Sequence, residues 1–477
     1  MATRPRSGAA RRGAGPDLSA LPACVEEARA AALETDPGPP DPVKFADLRT
    51  RLARAAPRLP PLYHRSVLDP FQATLDGLGA SGFARVLRSD PDRAGPALVV
   101  LDVAQVVLQN GERYREAATD GFQEVVSDLY DGFLSAEDRR DVKRPDKGAI
   151  PPLVKWGRPD FGPYTLPVDA VRSVGAKAAV VSLPPAAARR GLLAWAALGH
   201  ETAGHDVLGA DTGLRAELAA AVRGAVQRAG VAKGLPGYWA DRIDETASDV
   251  LGILNMGPAA GAGVVGYFRA LNAAWGSGPH LRSEGPAQDE HPADVLRGWL
   301  AAATVRGLSF AGAAAWADAL DLETDADARS VVVAGRALTR GEARASAAAA
   351  AAAVVTTRLR SLEGHALGEI QDWRDADEAA AAELRARLAG EAPMPMRYAR
   401  GVYAAHAVAA GVYASLAGDA PQGRIFERTV AALKVMHDGN PSWGPLYVVH
   451  PGDLAPRVVY RPPTRVAGGS LRMIRTR

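Results

Sequence analysis

Leu192-Leu193-Ala194-Trp195-Ala196-Ala197-Leu198-Gly199-His200-Glu201-Thr202-Ala203-Gly204-His205-Asp206 is the stretch on which the reading of this chain turns. Its apolar residues recur at helical spacing, and Pro184-Pro185 ahead of it is a helix-start signal. A single helix over 187–208 is therefore expected, ended by Gly209-Ala210-Asp211-Thr212-Gly213. Two imidazoles and two carboxylates stand on this otherwise apolar segment. Left without partners in a buried helix, each would cost about 1–3 kcal/mol, more if charged. A metal ion supplies the missing partner.

The histidines stand five positions apart. On a regular helix that spacing rotates them by about 140°. Both reach one ion only if the helix takes in an extra residue as a π-bulge, a distortion that clusters at functional sites. Gly204 is the expected place for it. Without a bulge, Glu201 and His205 would share a face instead.

A second polar segment, Asp244-Glu245-Thr246-Ala247-Ser248-Asp249, lies about 45 residues downstream, within an expected helix over 238–256. Asp249 follows Glu245 by four residues, so both carboxylates fall on one face. Together the two segments resemble the motifs of the dipeptidyl peptidase III family of zinc peptidases, with the HExxGH pattern in His-Glu-Thr-Ala-Gly-His and a glutamate-centred second helix. The likeness rests on these two short motifs. It implies a metal site of His200, His205 and Glu245, with Zn2+ as cofactor. It also implies Glu201 as general base and Asp249 as the carboxylate that orients a ligand histidine, with Asp244 beside it. The broader gluzincin pattern, a His-Glu helix followed by a glutamate helix, carries the same implication.

The chemistry of the donor set points the same way. Two neutral imidazoles and one carboxylate leave a fourth tetrahedral position for water. Zinc lowers the pKa of that water to about 7. Glu201, adjacent to the first ligand, is placed to take its proton during attack on an amide carbonyl. His291 in Glu290-His291-Pro292 is the expected catalytic partner that stabilises the oxyanion. Tyr398, Tyr403 and His406 read as core residues, and His437 as a partner of a helix C-terminus. His64, His280, His365 and His450 read as surface residues. Gly261, Gly263 and Gly266 lack the strand-turn context of a phosphate loop.

Outward from the site, the fold class is mainly α, a multi-helix metallohydrolase-like domain. One small β-sheet is expected over about 148–186, before the metal-site helix. There Val and aromatic residues replace the Ala-rich pattern, and Ala178-Ala179-Val180-Val181-Ser182-Leu183 reads as a strand. The edge of that strand is expected to accept an extended peptide. Residues 1–42 read as a mostly disordered leader with one short helix, and Cys24 lies within it. A helical region (43–146), the zinc-site region (147–310), a second helical region (311–450) and an irregular basic tail (451–477) follow. Helices are expected over 214–229, 294–305, 310–320, 341–362, 376–388, 396–416 and 422–436.

Composition limits the alternatives. Hydrophobic residues at 47% and charged residues at 23% are ordinary globular values. A net charge of +2 argues neither for nucleic-acid nor for acidic-membrane partners, and neither is expected. A single cysteine excludes an intrachain disulfide and a cysteine zinc site, which fits a cytoplasmic location. The Arg11-Arg12 pair has no apolar stretch after it, so export is not expected. The expected partner is a peptide or small amide substrate, with the oligomeric state open. The alternatives are a non-catalytic helical scaffold or partner-binding protein with a structural or vestigial metal, and a di-metal site using Glu201, His205, Glu245 and Asp249.

Overall fold

The computed structural model describes residues 16–134, 142–143, 145–147, 150–159, 161–276, 278–398, 401–444, 459–460 and 473–474. The chain is mainly helical, with 65% of it in helices and 6% in strands. No helix among the described residues is long and apolar enough to cross a membrane.

The expected small sheet is present, and its pattern explains its place. Leu153–Trp156 runs parallel to Val180–Leu183, which pairs on its other side with antiparallel Tyr164–Leu166. Side chains of a strand alternate between faces. Leu153 and Val180 therefore point into one hydrophobic core, built with helices Phe45–Ala55, Asp69–Ser89 and Pro96–Gly111. Val154, Trp156, Val181 and Leu183 point into a second, larger core formed with the later helices. Both faces are covered, so these strands read as nearly continuous apolar runs. Within the larger core Trp156 packs on Phe122 and Trp195, which ties the sheet to the start of the site helix.

Several expectations need correction. Val180–Leu183 is the central strand and has no free edge, because Leu153–Trp156 and Tyr164–Leu166 occupy both sides. The strand that reaches the site is Tyr164–Leu166. A second three-stranded sheet joins Glu284–Gly285, Val331–Val333 and Arg336–Leu338. Its hairpin turns on Ala334 and Gly335, both with positive φ, as a tight two-residue turn requires. The leader has defined structure from Pro16 onward rather than being mostly disordered, and the short helix expected in it is present. Leu21–Ala32 is a helix that buries Leu21, Cys24, Val25, Ala28 and Ala31 along one face. Residues 1–15 lie outside the described residues, as do His450 and most of the basic tail. Within that tail Val459–Tyr460 pairs with Met473–Ile474.

Gly257-Pro258 does more than end a helix. Gly257 takes φ 62°, and Pro258 opens the next helix, Pro258–Trp275, at the position where a missing N–H costs nothing. The single helix expected over 238–256 is two, Leu235–Asp241 and Ile243–Met256, divided at Arg242. Glu245 thus sits in a first turn rather than mid-helix. The helix expected over 396–416 is shorter, Ala404–Ala417, because His406 caps its start. Those expected over 214–229, 294–305, 376–388 and 422–436 are found as Leu214–Arg228, Asp294–Arg306, Asp375–Ala389 and Gln422–Asp438. The ones at 310–320 and 341–362 are shifted, to Ala313–Asp327 and Arg340–Thr356.

Candidate metal centre

The segment expected as one continuous helix is built in pieces: a 3-10 turn Pro185–Ala188, an α-helix Leu192–Leu198, a π-helical stretch Gly199–Asp206 and a short α-turn Val207–Ala210. The extra residue per turn is spread over eight residues, longer than a single-turn bulge. Gly199-His200 and Gly204-His205 are the same dipeptide repeated five residues apart, the hydrogen-bond spacing of a π-helix. Both histidines consequently face one way, and so do both glycines.

The glycines explain why the helix Ile243–Met256 lies so close. A Cβ on Gly204 would fall 2.4 Å from the Cβ of Ser248, and one on Gly199 would fall 3.2 Å from the Cα of Gly252. Ser248 and Gly252 are one α-helical turn apart, matching one π-helical turn on the partner. Gly204 is therefore needed for room against the neighbouring helix. Its φ is not in the left-handed region.

This approach brings Glu245 to both imidazoles. His205 Nε2 lies 3.3 Å from Glu245 Oε1, and His200 Nε2 lies 3.5 Å from Glu245 Oε2. Both exceed the ~2.9 Å of a good N–H···O bond. The two contacts are made to different oxygens of the same carboxylate, which lies between the two rings. The two rings stand nearly perpendicular, centroids 4.6 Å apart. His200, His205 and Glu245 thus form a group able to hold a metal ion, each offering one ligand atom within 4.8 Å of the others.

The supporting charges are arranged around this group. Asp249 Oδ1 lies 2.8 Å from His200 Nδ1, which fixes the ring with Nε2 toward Glu245. Arg297, buried on Asp294–Arg306, donates to both oxygens of Asp249 from Nε (2.7 Å) and Nη2 (2.8 Å), and its Nη1 reaches Glu245 Oε2 at 3.2 Å. Burial works against the Glu245 carboxylate, but Arg297 and His200 outweigh it and hold its pKa well below the ordinary range. The same balance of burial against Arg297 and His200 lowers the pKa of Asp249. For His205, burial disfavours the cation, but Glu245 and Glu201 outweigh it and raise the pKa. Both carboxylates are therefore ionised, as a cation ligand requires.

Glu201 is 6% exposed and faces the same cavity. Thr165, on the strand Tyr164–Leu166, donates to Glu201 Oε2 at 2.8 Å. His291 is half-exposed; its Nε2 lies 3.7 Å from Glu245 Oε1, and its Nδ1 lies 3.1 Å from Asp289. Asp244 points to Arg215 Nε at 2.8 Å and makes no hydrogen bond with a ligand side chain. The structure thus gathers His200, Glu201, His205, Glu245, Asp249 and His291 around one cavity of about 510 Å³, and Asp244 is not part of its lining.

His406 lies elsewhere: Nε2 faces Asp377 at 3.0 Å and Nδ1 accepts from the Tyr403 backbone N–H. Arg297 and Thr165 were not read as site residues. A buried arginine on the apolar helix that follows His291 was the available signal for the first. For Thr165 the sequence carried none. Comparison with known proteins finds no matching family model, curated protein or solved structure.

Proposed function

We propose that this chain is a zinc-dependent amide hydrolase, most simply a metallopeptidase. The observation that carries the reading is the grouping of His200, His205 and Glu245, each offering one ligand atom within 4.8 Å of the others, beside Glu201 on one cavity. Two imidazoles and a carboxylate form a donor set suited to zinc. Bound there, zinc supplies Lewis acidity and acidifies water toward neutral pH. The likeness of the two motifs to the dipeptidyl peptidase III family supports the same reading.

The chain's own residues divide the work. Thr165 holds one oxygen of Glu201, which leaves the other to take a proton from the attacking water and pass it to the departing nitrogen. Asp249 and Arg297 hold His200 and Glu245 in place. His291 Nε2, on the open side of Glu245, is positioned to donate to the developing oxyanion. Tyr164–Leu166 is the sheet edge beside Glu201, where an extended peptide backbone can pair.

Zinc content by mass spectrometry and hydrolysis of a mixed peptide library test this reading. Glu201→Gln is expected to keep zinc and lose about 10²–10⁴-fold in rate. Loss of zinc in that variant would make Glu201 a ligand. Zinc at full stoichiometry with no peptide or amide cleaved by the native chain would favour the scaffold reading.

A further inference from the structure

Arg297 and Arg215 both line the cavity, and they are used differently. Arg297 is buried and has its donors on Asp249 and Glu245. Arg215, at the start of helix Leu214–Arg228, keeps 42% of its side chain exposed. Among the described residues its one charged partner is Asp244, an ion pair in which Nε and Oδ1 lie 2.8 Å apart without hydrogen-bond alignment. That ion pair keeps the guanidinium at the cavity wall, and among the described residues its two terminal nitrogens make no hydrogen bond. A planar fork held this way matches a carboxylate, which it can bind with two parallel N–H···O bonds. Arg215 and the ligands His200, His205 and Glu245 line the same cavity, so the fork faces the space in front of the metal group.

The same cavity has an apolar wall. Val264, Phe268, Leu271 and Trp275 follow the i, i+4, i+7, i+11 spacing of one face of Pro258–Trp275. Trp275 is 52% exposed, unusual for so large an apolar side chain. Phe268 carries the Arg297 guanidinium 4.3 Å above its ring, so this wall too abuts the metal group.

We propose that Arg215 binds the free carboxylate of the substrate, and that the site therefore takes carboxylate-terminated peptides or N-acyl amino acids with an apolar side chain. The proposal rests on the hydrolase reading above, but its test does not need turnover. N-acetyl-phenylalanine and its C-terminal amide are titrated calorimetrically into the full chain in the presence of zinc. The acid is expected to bind at least about tenfold more tightly than the amide. Arg215→Gln is expected to erase that difference, and Arg215→Lys to keep part of it, with unfolding midpoints unchanged. Equal binding of acid and amide by the native chain would overturn the proposal. So would a preference for the acid that persists in Arg215→Gln, since the carboxylate would then be held elsewhere. A native chain that prefers the acid yet hydrolyses no amide would sink the hydrolase reading and leave the role of Arg215 standing.

Discussion

The histidine–carboxylate cluster around His406 and the one around His200 and His205 are both buried, and they are built for different ends. Around His406 every valence is closed: Nδ1 takes the Tyr403 N–H, Nε2 meets Asp377, and Trp373 packs edge-on against the ring. Around His200 and His205 only the outer nitrogen of His200 is closed, by Asp249. The Nε2 atoms of both rings converge on Glu245 at spacings too long for good hydrogen bonds, and they open onto a cavity. Burial and a carboxylate neighbour are common to both clusters. What separates them is whether the donors are spent on each other or left pointing at a common centre.

Removing a ligand should break this contrast most visibly. His205→Ala and Glu245→Ala are expected to weaken zinc binding, read by calorimetric titration, by more than the about 10–100-fold that loss of an outer partner costs. Asp249→Asn should fall within that range. His406→Ala should leave the titration curve where it was, and a shift there would mean that the two clusters are coupled.

Gly204→Ala comes next. Its Cβ would overlap the backbone and side chain of Ser248, so the helices must part. A loss of about 3 kcal/mol in denaturant unfolding is expected, together with weaker zinc binding. Tolerance of the alanine would show that the close approach is not what positions Glu245. In the closed cluster, His406→Ala should cost about 2 kcal/mol in the same measurement by stripping a buried carboxylate and a backbone N–H of a partner.

The smallest effect concerns Glu378, near the closed cluster. Burial raises its pKa above the ordinary 4.5, although hydrogen bonds from Trp373 and Tyr413 oppose the shift. The folded chain then holds this proton more tightly than the unfolded chain. The stability it lends is complete below the ordinary carboxylate range and is lost as pH rises through the raised value. Glu378→Gln keeps an acceptor and removes the titration. It should flatten that part of the pH–stability curve by no more than about 1 kcal/mol. An unchanged slope would place the linkage on another buried carboxyl such as Glu124.

Much of this was legible in the chain itself. The five-residue spacing of His200 and His205 demands a distorted helix if both are to reach one ion, and the π-helical stretch Gly199–Asp206 meets that demand. Apolar periodicity placed most helices within a few residues. It failed where a break is made by one backbone conformation, as at Arg242 and Gly257, or where a strand is three residues long, as at Val331–Val333. In the leader it placed one short helix but not its extent, because Pro and Gly around the segment masked the full apolar face of Leu21–Ala32.

The sequence by itself determined the donor types, their spacing and the need for an extra residue in the turn, since these follow from side-chain chemistry and helical period. Only the tertiary structure decided that Gly204 serves as clearance for Ser248, that Arg297 joins Asp249 to Glu245, and that Thr165 holds Glu201. Each of those depends on which elements touch. Contacts across tens of residues are set by how whole faces pack, and no local pattern records them.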